Sequence, residues 1–111
     1  MPYNKYGNTK TVVDGLKFDS KKEAIRWFEL RNLERAGHIT DLKRQVPIQL
    51  FAGDEPLLTP TGRKMMYRAD FTYHDTKLDV PVVEDAKGFA TDIYKMKKAI
   101  LATMGVEIKE S

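Results

Sequence analysis

The chain contains no cysteine and only two histidines, His38 and His74, in 111 residues. Without cysteine there can be no disulfide framework, thiol nucleophile or cysteine-ligated zinc, and two widely separated histidines cannot build a histidine-rich centre. Any metal would therefore be a hard cation held by oxygen. No hydrophobic run approaches bilayer-spanning length, and the opening residues MPYNKYGNTK lack the apolar core of a secretion signal. No membrane partner is therefore expected, and the cytoplasm is the expected location. There is no internal repeat and no low-complexity tract.

Hydrophobic residues make up 41% and charged residues 32%, with five Tyr, five Phe and one Trp, enough apolar surface to offset the ordering of one domain. Nineteen basic residues against sixteen acidic ones give a net charge of +3. That balance points only weakly to a polyanionic partner. The length suits one domain and excludes two independent ones. Residues 1–10, with Tyr3 and Tyr6 between Lys5 and Lys10, read as a flexible basic and aromatic arm, and residues 11–111 as the single domain.

Asp14-Gly15 between short β-prone runs signals a two-residue hairpin. Ser20 followed by Glu23 has the spacing of a capping box, and Gly37 is a stop, so residues 21–36 are expected to form a helix with Trp27, Phe28 and Leu30 in the core. QVPIQLF alternates like a half-buried strand, with Pro47 marking an edge or a strand start. AGDEPLLTPTG reads as a loop. KMMYRADFTY places Tyr67, Ala69, Phe71 and Tyr73 on one face of a strand, and HDTK turns the chain into a second long strand, LDVPVVEDAKG. Ile93, Met96, Ile100 and Met104 recur at helical spacing, Gly105 ends that helix, and VEIKE alternates as a last short strand. The expected fold is α/β or α+β, a central mixed sheet flanked by two helices.

The stretch VVEDAKG ends an apolar run with two acids and a lysine. Residues i and i+2 of a strand share a face, so Asp85 and Lys87 go with Val83, and Glu84 goes with Ala86. Asp70 and Asp85 lie equally far from the turn between their strands. A symmetric hairpin sets them opposite one another, about 4.5–5.5 Å apart at Cβ. Two adjacent carboxylates repel unless a cation lies between them, and Mg²⁺ suits such a site because it keeps several waters on carboxylate oxygen. Lys87 can then orient or deprotonate a water, or stabilise charge developing on a phosphate. The ordinary explanation is a solvated strand end with a simple salt bridge. Glu23 likewise has an ordinary structural role as the capping-box acid.

The series FDSKKEA, YRADF and VVEDAKG, followed by a lysine-bearing helix, resembles the PD-(D/E)XK nuclease superfamily with its restriction-endonuclease-like fold. Over nearly the whole chain the order resembles small phage-encoded endonucleases of that superfamily. The resemblance implies a metal-dependent site in which Glu23 is the helix acid, Asp70 the motif aspartate, Asp85 the second acid and Lys87 the lysine. Ala69 stands where the motif name has proline, and Glu84 competes with Asp85 for the second acid. Strand parity favours Asp85.

The resemblance further implies a Mg²⁺- or Mn²⁺-dependent endonuclease hydrolysing phosphodiester bonds in duplex or branched DNA, in the cytoplasm of a bacterial host if phage-encoded. The small chain shows no recognition helix or inserted target domain, which favours structure-selective cutting. A Holliday-junction resolvase cutting two strands needs two sites and hence a homodimer. The alternative class is a non-catalytic nucleic-acid-binding or phage accessory protein. Lys97 lies on the apolar side of the second helix, where a lysine must snorkel or find an anion. Lys95 and Lys98 are candidates for backbone contacts, Tyr94 for stacking, and Gln45 for the wall of a substrate groove. Neither histidine is assigned to catalysis.

Overall fold

The computed structural model describes residues 10–86 and 91–111. The expected arm, apart from Lys10, and Lys87 lie outside the described residues. β1 (Thr11–Val13) and β2 (Leu16–Phe18) form the expected antiparallel hairpin. Asp14 and Gly15 both take positive φ, 52° and 77°, as the two-residue turn requires.

α1 runs over Lys21–Arg35. Ser20 Oγ accepts from the Glu23 N–H at 3.1 Å, the first half of the capping box. The return bond goes to the Asp19 N–H at 3.3 Å, one residue earlier than the box prescribes. At the other end Gly37 has φ 82°, with His38 N–H donating to Leu33 O and Gly37 N–H to Glu34 O. That pair of bonds is a Schellman stop.

β3 (Ile39–Gln49) is longer than the alternation indicated and is an edge strand, which accommodates Pro47. The expected loop carries a second small hairpin, β4 (Phe51–Ala52) with β5 (Glu55–Pro56). β6 (Met66–Asp75) pairs antiparallel with β3 on one side and with β7 (Val80–Asp85) on the other. Leu78 and Asp79 belong to the turn before β7 and not to the strand, because Asp75 Oδ1 accepts the Lys77 and Leu78 N–H groups and closes it. α2 (Asp92–Thr103), capped by Thr91, crosses over to β8 (Ile108–Glu110), which lies parallel to β7. The fold is α+β, a mixed four-stranded sheet in the order β3-β6-β7-β8 with two helices.

The core has two parts. Trp27, Leu30 and Ala24 of α1 pack with Phe18, Ile39, Phe71, Tyr73 and Ala86, while Tyr94 and Leu101 of α2 pack with Leu50, Tyr67, Ala69 and Ile108. The aromatic run of β6 is therefore not one face, as its alternation suggested. Tyr67 and Ala69 belong to the α2 cluster, and Phe71 and Tyr73 to the α1 cluster. The change falls at Asp70, where Ala69, Asp70 and Phe71 are buried in succession. Across the ladder, between the pairs Arg44↔Phe71 and Val46↔Ala69, Gln45 holds φ 52°. A left-handed non-glycine residue in a strand marks a local distortion.

The apolar stripe read on α2 and one core residue read on α1 differ from the buried faces. Ile93 and Met96 are 64% and 57% exposed, since α2 turns Tyr94, Ile100, Leu101 and Met104 inward instead. Phe28 is 38% exposed, one position past Trp27 and off the buried stripe.

Candidate functional site

The acids singled out by the sequence are buried: Glu23 is 2% exposed, Asp70 6%, Glu84 0% and Asp85 0%. A solvated strand end is thereby excluded. Burying a carboxylate is costly unless hydrogen bonds or a cation compensate, so each group must have a partner. The partners separate the four acids into different roles.

Glu84 is fully engaged. Arg26 of α1 grips it with a two-pronged bond, Nε to Oε2 at 2.5 Å and Nη2 to Oε1 at 3.0 Å, and Tyr73 Oη donates to Oε1 at 2.7 Å. Burial pushes the Glu84 carboxyl up, but the bonds from Arg26 and Tyr73 together outweigh it and hold the group below the usual carboxylate value. The same pairing raises the Arg26 guanidinium further. Glu84 is thus a structural ion-pair acid on the α1 side of the sheet.

Asp85 faces the other way. Tyr67 Oη donates to Asp85 Oδ2, and Tyr67 belongs to the α2 cluster with Val83, so the parity of this strand is as the sequence indicated. Burial, and then the bond to Asp85, raise the Tyr67 phenol well above its ordinary value. Its proton therefore stays on the phenol. Just past β8, the Ser111 N–H donates to Asp85 O at 3.0 Å and ties the Asp85 backbone in place.

The ladder between β6 and β7 pairs Phe71 with Glu84, Thr72 with Val83 and Tyr73 with Val82. Continued by one step, this register sets Asp70 against Asp85. Asp70 Oδ2 accepts from the Ala86 N–H at 2.8 Å, which ties the carboxylate to the strand just beyond Asp85.

Glu23 completes the group from α1. Gln45 Nε2 donates to its Oε1 at 3.0 Å, and Arg44 Nη2 lies 3.7 Å from the same oxygen. Burial, then the charge of Asp70, then that of Asp19 raise the Glu23 carboxyl above its ordinary value. Glu23 and Asp70 thus repel one another electrostatically. Among the described residues, no group of three or more Asp, Glu or His side chains is gathered closely enough to enclose a metal ion by itself.

A raised acid favours folding only while it is protonated. Its stabilising contribution is present below the unfolded carboxyl value and is lost as pH rises through the folded one. The metal-free Glu23→Gln variant is therefore expected to melt above the wild type at pH 7, with the difference closing as pH falls towards 4. Thermal melts across that range test this, and a Glu23→Gln protein that melts lower at neutral pH contradicts it.

The remaining candidates are placed as follows. Gln45 is bound to Glu23 and so belongs to the acid group. Lys97 is half-buried and donates to Met66 O at 2.8 Å, one residue from Tyr67. Tyr94 is buried with its hydroxyl on Glu110, which also takes Lys98. Tyr94 has no face free for stacking. Lys95 is exposed. His74 pairs with Asp79 at the surface. Arg26, Tyr67, Tyr73 and Arg44 were not anticipated as partners of the acids. No local signal pairs Arg26 with Glu84, which lies 58 positions away.

Compared with curated proteins and with solved structures, the chain has no match. A family profile described as a protein of unknown function, DUF1064, matches residues 3–111, and the chain belongs to that family.

Proposed function

We propose that the protein is a metal-dependent endonuclease of the PD-(D/E)XK type, acting on DNA phosphodiester bonds. One observation carries this reading: the β6–β7 register brings Asp70 and Asp85 together as buried acids, while Glu84, the competing acid, is occupied by Arg26 and Tyr73. The residues suit a hard cation. All donors are oxygen, and Asp70 has one oxygen on the Ala86 N–H, with Oδ1 making no hydrogen bond among the described residues.

Asp70 and Asp85, with Glu23 beside them, would hold Mg²⁺ or Mn²⁺. When bound, the ion supplies Lewis-acid polarisation of the phosphodiester and a water of lowered pKa. Burial, and then the charge of Asp70, raise the Glu23 carboxyl above its ordinary value, the direction that suits a proton acceptor. In the sequence Lys87 completes the D-x-K motif and is the proposed stabiliser of charge on the phosphate.

The sequence offers no inserted target domain or separate recognition helix for base readout. Branched DNA cut by a homodimer is the favoured substrate and assembly on that ground. Nicking of plasmid and four-way-junction DNA is expected with Mg²⁺ or Mn²⁺, little or none with Ca²⁺, and none in EDTA. Cleavage that survives chelation removes the metal mechanism. Tight DNA binding without any cleavage makes the protein a binding module instead.

A further inference from the structure

The chain holds two arginines against buried acids in two different ways. Arg26 grips Glu84 through two nitrogens at 2.5 and 3.0 Å, the geometry that satisfies a carboxylate fully. Arg44 approaches Glu23 no closer than 3.7 Å, beyond hydrogen-bond range. Its single hydrogen bond among the described residues runs from Nη2 to the Lys17 carbonyl at 2.5 Å. Nε is buried and has no partner among those residues. A guanidinium has five N–H donors, so most of the hydrogen-bonding capacity of Arg44 is unused.

Its position is nevertheless fixed. The Arg44 Cζ lies 4.3 Å from the Phe18 ring centroid and 5.7 Å from that of Trp27. Stacking on an aromatic surface sets the guanidinium plane and reduces the entropy lost when the group binds a ligand. β3 sets Arg44 beside Gln45, whose amide bonds Glu23, and opposite Phe71, the residue after Asp70. An arginine needed only to neutralise Glu23 would close onto it. Arg44 instead stands beside the acid group, oriented, with its side chain 19% exposed and Nη1 making no hydrogen bond among the described residues.

We propose that Arg44 binds a phosphate of the nucleic-acid backbone next to the Glu23, Asp70 and Asp85 acids. The assignment rests on the nuclease reading for the identity of its ligand, a phosphodiester. The need is electrostatic: three carboxylates repel a phosphate, and a fixed guanidinium at their margin offsets that repulsion while its planar fork matches two phosphate oxygens.

The test is fluorescence anisotropy of labelled duplex and four-way-junction DNA in Ca²⁺ over a series of KCl concentrations, beside nicking assays in Mg²⁺. The proteins are the wild type, Arg44→Met, Arg44→Lys and Asp70→Asn, each checked by thermal melting. Methionine keeps an apolar stem over Phe18. Arg44→Met is expected to weaken binding roughly ten- to a hundredfold, the scale of lost hydrogen bonds to a charged group. The slope of log affinity against log salt should become shallower by about 0.9, one phosphate contact fewer. Arg44→Lys should recover the slope but only part of the affinity, because it restores charge without the fork. A purely structural arginine would move the melting temperature and leave the salt slope alone.

Unchanged affinity and slope in Arg44→Met, with cleavage intact and Asp70→Asn inactive, overturns the role of Arg44 and leaves the nuclease standing. The expected changes in a wild-type protein that never cleaves support the phosphate contact and overturn the nuclease. A wild type that binds neither duplex nor four-way-junction DNA overturns both. Should Arg44→Met melt below the assay temperature, Arg44→Lys decides: full wild-type affinity overturns the proposal, and reduced affinity at an unchanged slope supports it.

Discussion

Asp70→Asn is expected to lower DNA cleavage roughly a thousandfold or more, the scale on which preorganised electrostatic groups act, while leaving the fold and DNA affinity intact. Asparagine keeps an oxygen for the Ala86 N–H, so the hydrogen bond that ties β6 to the end of β7 survives. What is lost is the negative charge that faces Asp85. Removing a like charge near a phosphate backbone leaves affinity unchanged or tightens it. The measurement is single-turnover cleavage with a melting curve on the same sample. A wild-type rate in Asp70→Asn contradicts the site, and a lost rate with a collapsed melting temperature would assign Asp70 to stability.

The second large effect concerns stability. Arg26→Met leaves Glu84, fully buried, as an unpaired carboxylate beside Tyr73, and breaking one side of a buried pair typically costs about 3–5 kcal/mol. Against the ~5–15 kcal/mol of a typical domain that is a large fraction, and the variant is expected to be unfolded or nearly so at 37 °C. Adding Glu84→Gln should restore much of the loss, because glutamine brings no charge to strand while it still accepts from Tyr73 Oη. The pH dependence follows from the lowered Glu84 carboxyl. Its stabilising contribution is present above the unfolded carboxyl value and is lost as pH falls through the folded one. The deficit of Arg26→Met should therefore narrow on acidification. Urea denaturation of the two variants and the wild type at pH 7 and pH 4 tests this, and equal losses in the single and double variants contradict it.

The elements legible in the sequence were those with local causes. Asp14-Gly15, Ser20 with Glu23, and Gly37 each act within a few residues, and each forms the turn, cap or stop its chemistry dictates. The β6–β7 register was readable because a short turn leaves a hairpin little freedom of pairing. The division of the core was not readable. Tyr67, Ala69, Phe71 and Tyr73 alternate cleanly, yet they serve two clusters, and the change falls opposite Gln45, whose φ is 52°. Helical spacing likewise marked Ile93 and Met96, but α2 is set on the sheet through Tyr94 and Leu101. Periodicity reports a stripe without saying which of two apolar stripes meets the sheet.

The site divides in the same way. Asp85 and Glu84 were separable by strand parity, and their partners, Tyr67 on one face and Arg26 with Tyr73 on the other, follow that parity. That Glu84 is fully buried rather than half-solvated depends on an arginine 58 positions away in sequence. No local pattern carries that pairing. Arg44 went unnoticed for a related reason, since its significance comes from the Phe18 ring, and Phe18 reaches it only through the β1–β2 hairpin.

The account stands on Asp70 and Asp85 forming one cation site from which Glu84 is excluded. Calorimetric titration of Mn²⁺ into the wild type, Asp70→Asn, Asp85→Asn and Glu84→Gln, each well below its melting temperature, tests that most directly. The predicted result is binding in the wild type and Glu84→Gln, and its loss in both aspartate variants. Binding that persists in Asp70→Asn and Asp85→Asn, or that disappears only in Glu84→Gln, contradicts it.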